Sequence, residues 1–303
     1  MQASLGSQEP STGSVDGALR LGPRTFGRRE LAVMAIVNRT PDSFFDRGAT
    51  YAEDAALTAV AAAVAAGADI IDIGGVKAGP GAEVDVTEEI RRTVSTVAAV
   101  RAEFPHVVIS IDTWRAAVAT EAVAAGADLL NDTWAGADPG LAEVAAATGA
   151  GLVCSHAGGL SPRTRPHRAA FADVVTDAVA TVTALADRAV SLGVRRDGIL
   201  IDPAHDFGKN TRHSLELTRR LDALVGTGWP VLVALSNKDF IGETLDVPVA
   251  GRLSGTLAAT AVSAWLGARV FRAHQVPQTR QVLDMVSSIR GDRPPAVARR
   301  GLA

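Results

Sequence analysis

Short, largely apolar runs alternate with longer Ala-rich segments from residue 31 to residue 271. The runs at 31–37, 69–73, 107–111, 128–130, 151–154, 198–201, 231–234 and 269–271 have the length and composition of parallel strands covered on both faces. The segments between them, among them 52–66, 87–104, 114–125, 171–192 and 251–266, carry apolar residues at helical spacing. Gly67, Gly126, Gly149, Gly193 and Gly267 follow helical segments, where the chain needs a left-handed residue to leave a helix. The stretches AAGADIIDI and AAGADLLND are near copies, so a repeated strand-helix unit is written in the sequence itself. Eight strands each followed by a helix predict an α/β fold, a (β/α)8 TIM barrel, in one domain over 30–290. The alternative is an open doubly wound sheet, and no strand here runs into the GxGxxG that its dinucleotide-binding form would carry.

Residues 1–29 are rich in Gly, Ser and Gln and read as a flexible N-terminal extension; 291–303 read as a C-terminal tail. The first thirty residues lack a hydrophobic signal core, and no apolar run approaches a membrane span, which predicts a cytoplasmic protein without a membrane partner. A net charge of -3 with interspersed signs argues against nucleic acid as a partner. The single cysteine, Cys154, lies in the run GLVCSH and reads as a small core residue, since one thiol builds neither a disulfide nor a zinc site.

A barrel of this kind does its chemistry in the loops that follow the strands, so the residues ending each run are the candidates. They are Asn38, the loop GGVKAGPG, Asp112, Asn131 with Asp132, His156, Asp202, the loop LSNKDFIG with Lys238, and Arg272 with His274. Asp112, Asn131, Asp202 and Lys238 would converge on one mouth and suit a flat heterocycle with alternating donors and acceptors. Each could equally cap its following helix, but four around one rim exceed what capping requires. Arg272 and His274 add cations for a phosphate or carboxylate. Arg163, Arg165, His167 and Arg168 make the loop after the fifth strand basic; this is either a solvated loop or an anion site over the mouth.

With these residues in place, the chain resembles the dihydropteroate synthases from Leu31 to about Arg290. The match is carried by VNRTPDSFFDRG, DIGG with PGA, SIDTWRAAVA, LLNDTWAG, IDPAHDFGK, LSNKDFIG and FRAHQV. The resemblance implies a homodimeric barrel that joins a dihydropterin pyrophosphate to p-aminobenzoate and releases pyrophosphate. It implies a deep pterin site at Asp112, Asn131, Asp202 and Lys238, with Phe207 packing on a ring. It implies pyrophosphate nearer the mouth at Asn38, Arg272 and His274, with Mg²⁺ at Asn38 only when that substrate is bound. Lys238, Arg272 and His274 are the catalytic candidates if the chain is active.

The departures from the family pattern are uneven. Where the family reads GGESTRPG this chain reads GGVKAGPG, so Val76, Ala78 and Gly79 stand for Glu, Thr and Arg. DPGxGF becomes DPAHDF with Asp206 at a glycine position, where its carboxylate is expected to repel that of p-aminobenzoate. SRK becomes Ser236-Asn237-Lys238, and RxHD becomes Arg272-Ala273-His274-Gln275. The four deep pterin positions are kept while the aminobenzoate and pyrophosphate side is altered. Losing one group that meets developing charge costs about 10²–10³ in rate, so the expectation is a pterin-pocket protein without efficient synthase activity. Two other readings compete with it. One is an active synthase in which Lys77 or the arginines after the fifth strand compensate. The other is a pterin-carrying methyl-transfer module, which would need a cobalamin-binding neighbour for which the chain leaves no room after Arg290.

Overall fold

The computed structural model describes residues 17–41, 48–164 and 170–301. Its sheet consists of β3 (Ala32–Asn38), β4 (Ile70–Gly74), β5 (Val108–Asp112), β6 (Leu129–Asp132), β7 (Gly151–Ser155), β8 (Ile199–Asp202), β9 (Leu232–Ala234) and β10 (Val270–Ala273). All are parallel, and β10 pairs with β3 and with β9. A bridge between Ile201 and Val231, with the Ile201 N–H donating to the Pro230 carbonyl at 2.9 Å, joins β8 to β9 and closes the cylinder. The helices α1 (Glu53–Ala65), α2 (Val86–Glu103), α3 (Ala116–Ala124), α4 (Gly140–Thr148) and α5 (Val174–Leu192) each lie between successive strands. They are followed by α6 (Thr211–Arg219) and α7 (Leu221–Val225) after β8, α8 (Asp239–Leu245) and α9 (Leu253–Leu266) after β9, and α10 (Val276–Ile289) after β10. The predicted barrel is the observed one.

Local chemistry explains the boundaries. Asp173 caps α5 by accepting from the N–H groups of Val175 and Thr176, and Gly193 ends it at φ 106°. Asp85 caps α2 through the Glu88 N–H at 2.8 Å.

Residues 17–29 depart from the expected flexible extension. β1 (Leu19–Leu21) and β2 (Arg24–Phe26) form an antiparallel hairpin that plugs the N-terminal end of the barrel. Leu19, Leu21 and Phe26 are fully buried against Met34, Leu129, Val153 and Leu200. Arg269 at the start of β10 fastens the hairpin by donating to the carbonyls of Gly17 at 2.7 Å and Gly27 at 2.7 Å. The Gly- and Ser-rich composition hid three apolar residues spaced to fill one hole. Residues 1–16 lie outside the described residues.

Candidate functional site

Successive side chains of a strand point to opposite faces, so every second residue enters the barrel. At the N-terminal end the inward residues are apolar: Ile70, Val108, Leu129, Val153, Leu200 and Val270, packed on the hairpin. Two positions further along they become Asp72, Ser110, Asn131, Ser155, Asp202 and Arg272, and on β5 the next inward residue is Asp112. The site is therefore the C-terminal half of the barrel's own interior, continuous with its core.

Asp72 is the centre of this layer and is completely buried. Its carboxylate accepts from the Ser110 hydroxyl at 2.6 Å, from the Asn131 amide at 3.2 and 3.3 Å, and from Arg272 Nε at 2.6 Å. Arg272 Nη2 donates to Asp112 at 2.7 Å, so one guanidinium joins two carboxylates from neighbouring strands. Burial opposes the Arg272 charge, and the carboxylates of Asp72 and Asp112 more than offset it. Asp112 also accepts from the Thr133 hydroxyl at 3.1 Å. Reading only strand ends misses Asp72, which sits two residues inside β4. Its signal was a carboxylate flanked on both sides by isoleucines in IIDI, inside a strand where burial demands a partner.

Above this layer opens a cavity lined by Asn38, Lys77, Ala78, Asp112, Asn131, Thr133, Asp202, Phe207, Ser236, Lys238, Arg272 and His274, among others. It brings together every site residue expected from the strand ends except Asp132 and His156. Asp132 instead accepts from the N–H groups of Trp134 and Gly136, at 2.9 and 2.6 Å, and shapes its own loop. His156 is buried against Asp177 at 2.6 Å.

Burial raises Asp112 and Asp202 to about 6 each, which leaves both ionised at neutral pH. Burial lowers Lys238, countered by Asp206 and Asp202, and its ammonium sits 4.3 Å from the centre of the Phe207 ring. His274, expected as a second cation, is held toward its neutral form. Burial, with Arg272 and Lys238 nearby, holds it down to about 3, and its Nδ1 meets the Ser236 hydroxyl at 2.9 Å.

The sequence profile of pterin binding enzymes matches residues 34–274. The chain belongs to that family. It is 60% identical over 275 residues to the inactive dihydropteroate synthase 2 of Mycobacterium leprae, covering 89% of this chain and 94% of the relative. The dihydropteroate synthase of Yersinia pestis, solved as a sulfonamide drug complex, superposes with a TM-score of 0.86 at 35% identity, covering 91% of this chain and 100% of that one. The Coxiella burnetii dihydropteroate synthase, solved in complex with pteroic acid, superposes with a TM-score of 0.81 at 30% identity, covering 91% and 99%. The chain is thus a dihydropteroate-synthase-like barrel.

Against that family frame the departures acquire geometry. Val76, Lys77 and Ala78 line the cavity where the synthase pattern carries Glu, Ser and Thr. Asp206 is not aimed at a second substrate. Its carboxylate accepts from the N–H groups of Asp239 and Phe240, at 2.7 and 3.3 Å, capping α8, and from the Ser214 hydroxyl at 3.1 Å. Its φ of 69° explains the glycine usual in synthases, and Asp is among the few residues that tolerate this conformation. Asn237, in place of the family's Arg, also has positive φ, at 57°, and is buried behind the cavity with its amide on Gln275. Lys209 of the DFGK motif is buried as well, donating to the carbonyls of His156, Ala204 and Phe207 at 2.7, 3.0 and 2.8 Å. It stitches the β8 loop to the end of β7. Arg163 donates to the carbonyls of Gly79 and Ala82, at 3.4 and 2.8 Å, so it braces the second loop and does not line the cavity. Arg165, His167 and Arg168 lie outside the described residues, as do the residues 42–47 within VNRTPDSFFDRG.

Proposed function

We propose that this protein binds a pterin-like heterocycle at the floor of its barrel and lacks efficient dihydropteroate synthase activity. The observation that carries this is the composition of the mouth: the second loop presents Val76, Lys77 and Ala78 to the cavity, with neither guanidinium nor hydroxyl at positions 78 and 79. The floor supports retention of the heterocycle, because the carboxylates of Asp112 and Asp202 line the cavity and each can accept from adjacent N–H donors on a ring edge. Asn131 and Lys238 complete the complementary set, and Phe207 offers a ring face. Formation of the new bond would require departing negative charge to be met, and Lys77 supplies a point charge without the planar fork of an arginine. The inactive status of the Mycobacterium leprae relative supports the same assignment.

Steady-state assay with dihydropterin diphosphate, p-aminobenzoate and Mg²⁺ is the test. We expect turnover at least about 10²-fold below that of the Yersinia pestis enzyme assayed alongside. Turnover within threefold of that enzyme would refute the proposal, and its loss in Lys77→Ala would then identify Lys77 as the compensating cation. Among the described residues no group of three or more His, Cys, Asp and Glu could hold a metal. Asn38 lines the cavity and offers one amide oxygen, which fits Mg²⁺ arriving on phosphate oxygens with its waters, and no permanently bound ion.

We further propose that the protein is a homodimer. Val262 and Trp265 on α9, with Met285 and Ile289 on the neighbouring α10, are each about half exposed or more, an unusual apolar patch for a monomer surface. Sedimentation of Trp265→Asp as a monomer, with the parent chain as a dimer, is the expected result. No described helix is long and apolar enough to cross a membrane.

A further inference from the structure

The charged groups around the cleft point to a ligand without phosphate. The cavity walls hold the carboxylates Asp112 and Asp202 with the cations Lys77, Lys238 and Arg272, and the buried Asp72 lies directly beneath Arg272, so among the described residues of the cleft carboxylates and cations are equal in number before any ligand enters. Of these cations, Arg272 is already engaged by Asp72 at 2.6 Å and Asp112 at 2.7 Å. Lys238 lies in the field of Asp202 and Asp206. Burial holds His274 toward its neutral form, and its Nδ1 meets the Ser236 hydroxyl at 2.9 Å.

The described arginines beside the second loop offer no replacement. Arg39 donates to the carbonyls of Arg92 and Tyr51, and Arg92 to the Gly75 carbonyl at 3.0 Å and to Glu88 at 2.7 Å. Arg115 is held by Glu89 and the Val84 carbonyl, both at 2.7 Å, and Arg163 by Gly79 and Ala82. These guanidiniums shape the loop's backbone. A diphosphate ester carries more negative charge at neutral pH than the roughly 1.5–2 of a single phosphate group. Placing that charge beside Asp112 and Asp202 costs desolvation that no further cation among the described residues offsets. An uncharged 2-amino-4-oxo heterocycle meets the opposite situation, since its N–H edge is what two ionised carboxylates accept.

We propose that the cleft selects an unphosphorylated pterin, one whose side arm ends in a neutral group such as a hydroxymethyl, over the diphosphate ester of the same ring. This rests on the pterin assignment made above and adds the ligand class that the site prefers. It turns an impaired synthase into a binder of the alcohol-level pterin.

Calorimetric titration of the full chain with hydroxymethyl dihydropterin, and separately with its diphosphate in the presence of Mg²⁺, tests it. The alcohol is expected to bind at least as tightly as the diphosphate. In the double variant Ala78→Thr/Gly79→Arg the diphosphate should gain at least tenfold, with the alcohol changed less than threefold. Tenfold tighter binding of the diphosphate by the unaltered chain overturns the preference while leaving the pterin pocket intact. Binding of neither compound overturns the pocket and the preference together. Asp202→Asn should weaken the alcohol at least tenfold in a chain that still melts cooperatively, and an unchanged affinity would move the ligand to another site and overturn the proposal.

Discussion

Arg272→Met is the sharpest probe of the barrel interior. Methionine fills much of the same volume but leaves Asp72, which has no exposed surface, and Asp112 without their shared cation. Removing one partner of a buried ion pair costs about 3–5 kcal/mol, mostly as the price of an uncompensated charge. For a chain of this size each kcal/mol moves Tm by roughly 2 °C, so the variant should melt about 6–10 °C lower at pH 8. The loss should shrink on acidification, and the sign follows from Asp112. Burial already raises its carboxyl to about 6 with Arg272 present, and losing the cation raises it further. A carboxyl with a folded pKa above its unfolded value destabilises the fold at high pH. That penalty fades as pH falls through the raised value toward about 4. Scanning calorimetry at pH 8 and pH 5 reads both effects, and Asp72→Asn/Arg272→Met should regain part of the loss at pH 8. A Tm within 2 °C of the parent at pH 8, or a deficit unchanged at pH 5, would falsify the account of a cation held between two buried carboxylates.

Other consequences are independent of that one. Pterin binding should weaken as pH drops below about 6, because Asp112 and Asp202, both raised to about 6, must be ionised to accept from the ring edge; titration calorimetry between pH 5 and 8 that finds a flat profile removes them as ligands. Asp206→Ala forfeits a helix cap and places alanine at φ 69°, for a cost of about 2 kcal/mol, while Asp206→Gly loses only the cap and should cost about half as much. Both should leave the affinity for an uncharged pterin unchanged, and a gain for that ligand in either would return the carboxylate to the cleft. Phe26→Ala empties the plug at the foot of the barrel and should cost about 3–5 kcal/mol in urea unfolding; a loss below 1 kcal/mol would mean that the hairpin is peripheral to the fold.

The alternation of apolar runs and helical segments predicted parallel strands covered on both faces, and the count of eight favoured a closed barrel over an open doubly wound sheet. The C-cap glycines were legible for the same local reason: Gly67, Gly126, Gly149, Gly193 and Gly267 all take positive φ. Asp112, Asn131, Asp202, Lys238 and Arg272 could be chosen as site residues because each stands at or just beyond the end of a strand, and in a barrel those ends share one rim. What no stretch of sequence carried was partnership between distant residues. Arg272 and Asp72 are 200 positions apart and meet only because β10 and β4 face the same lumen. Asp206 looked like a repulsive group for a substrate until α8 was seen to start at its carboxylate. Arg163 suits an anion by residue type, but its guanidinium donates to carbonyls of the second loop. Leu19, Leu21 and Phe26 gained meaning only from the open end of a cylinder built by strands that follow them. Residue type and local pattern decide which elements form. Which charges remain to act on a ligand depends on the other charges packed against them, and closure of the barrel settles that.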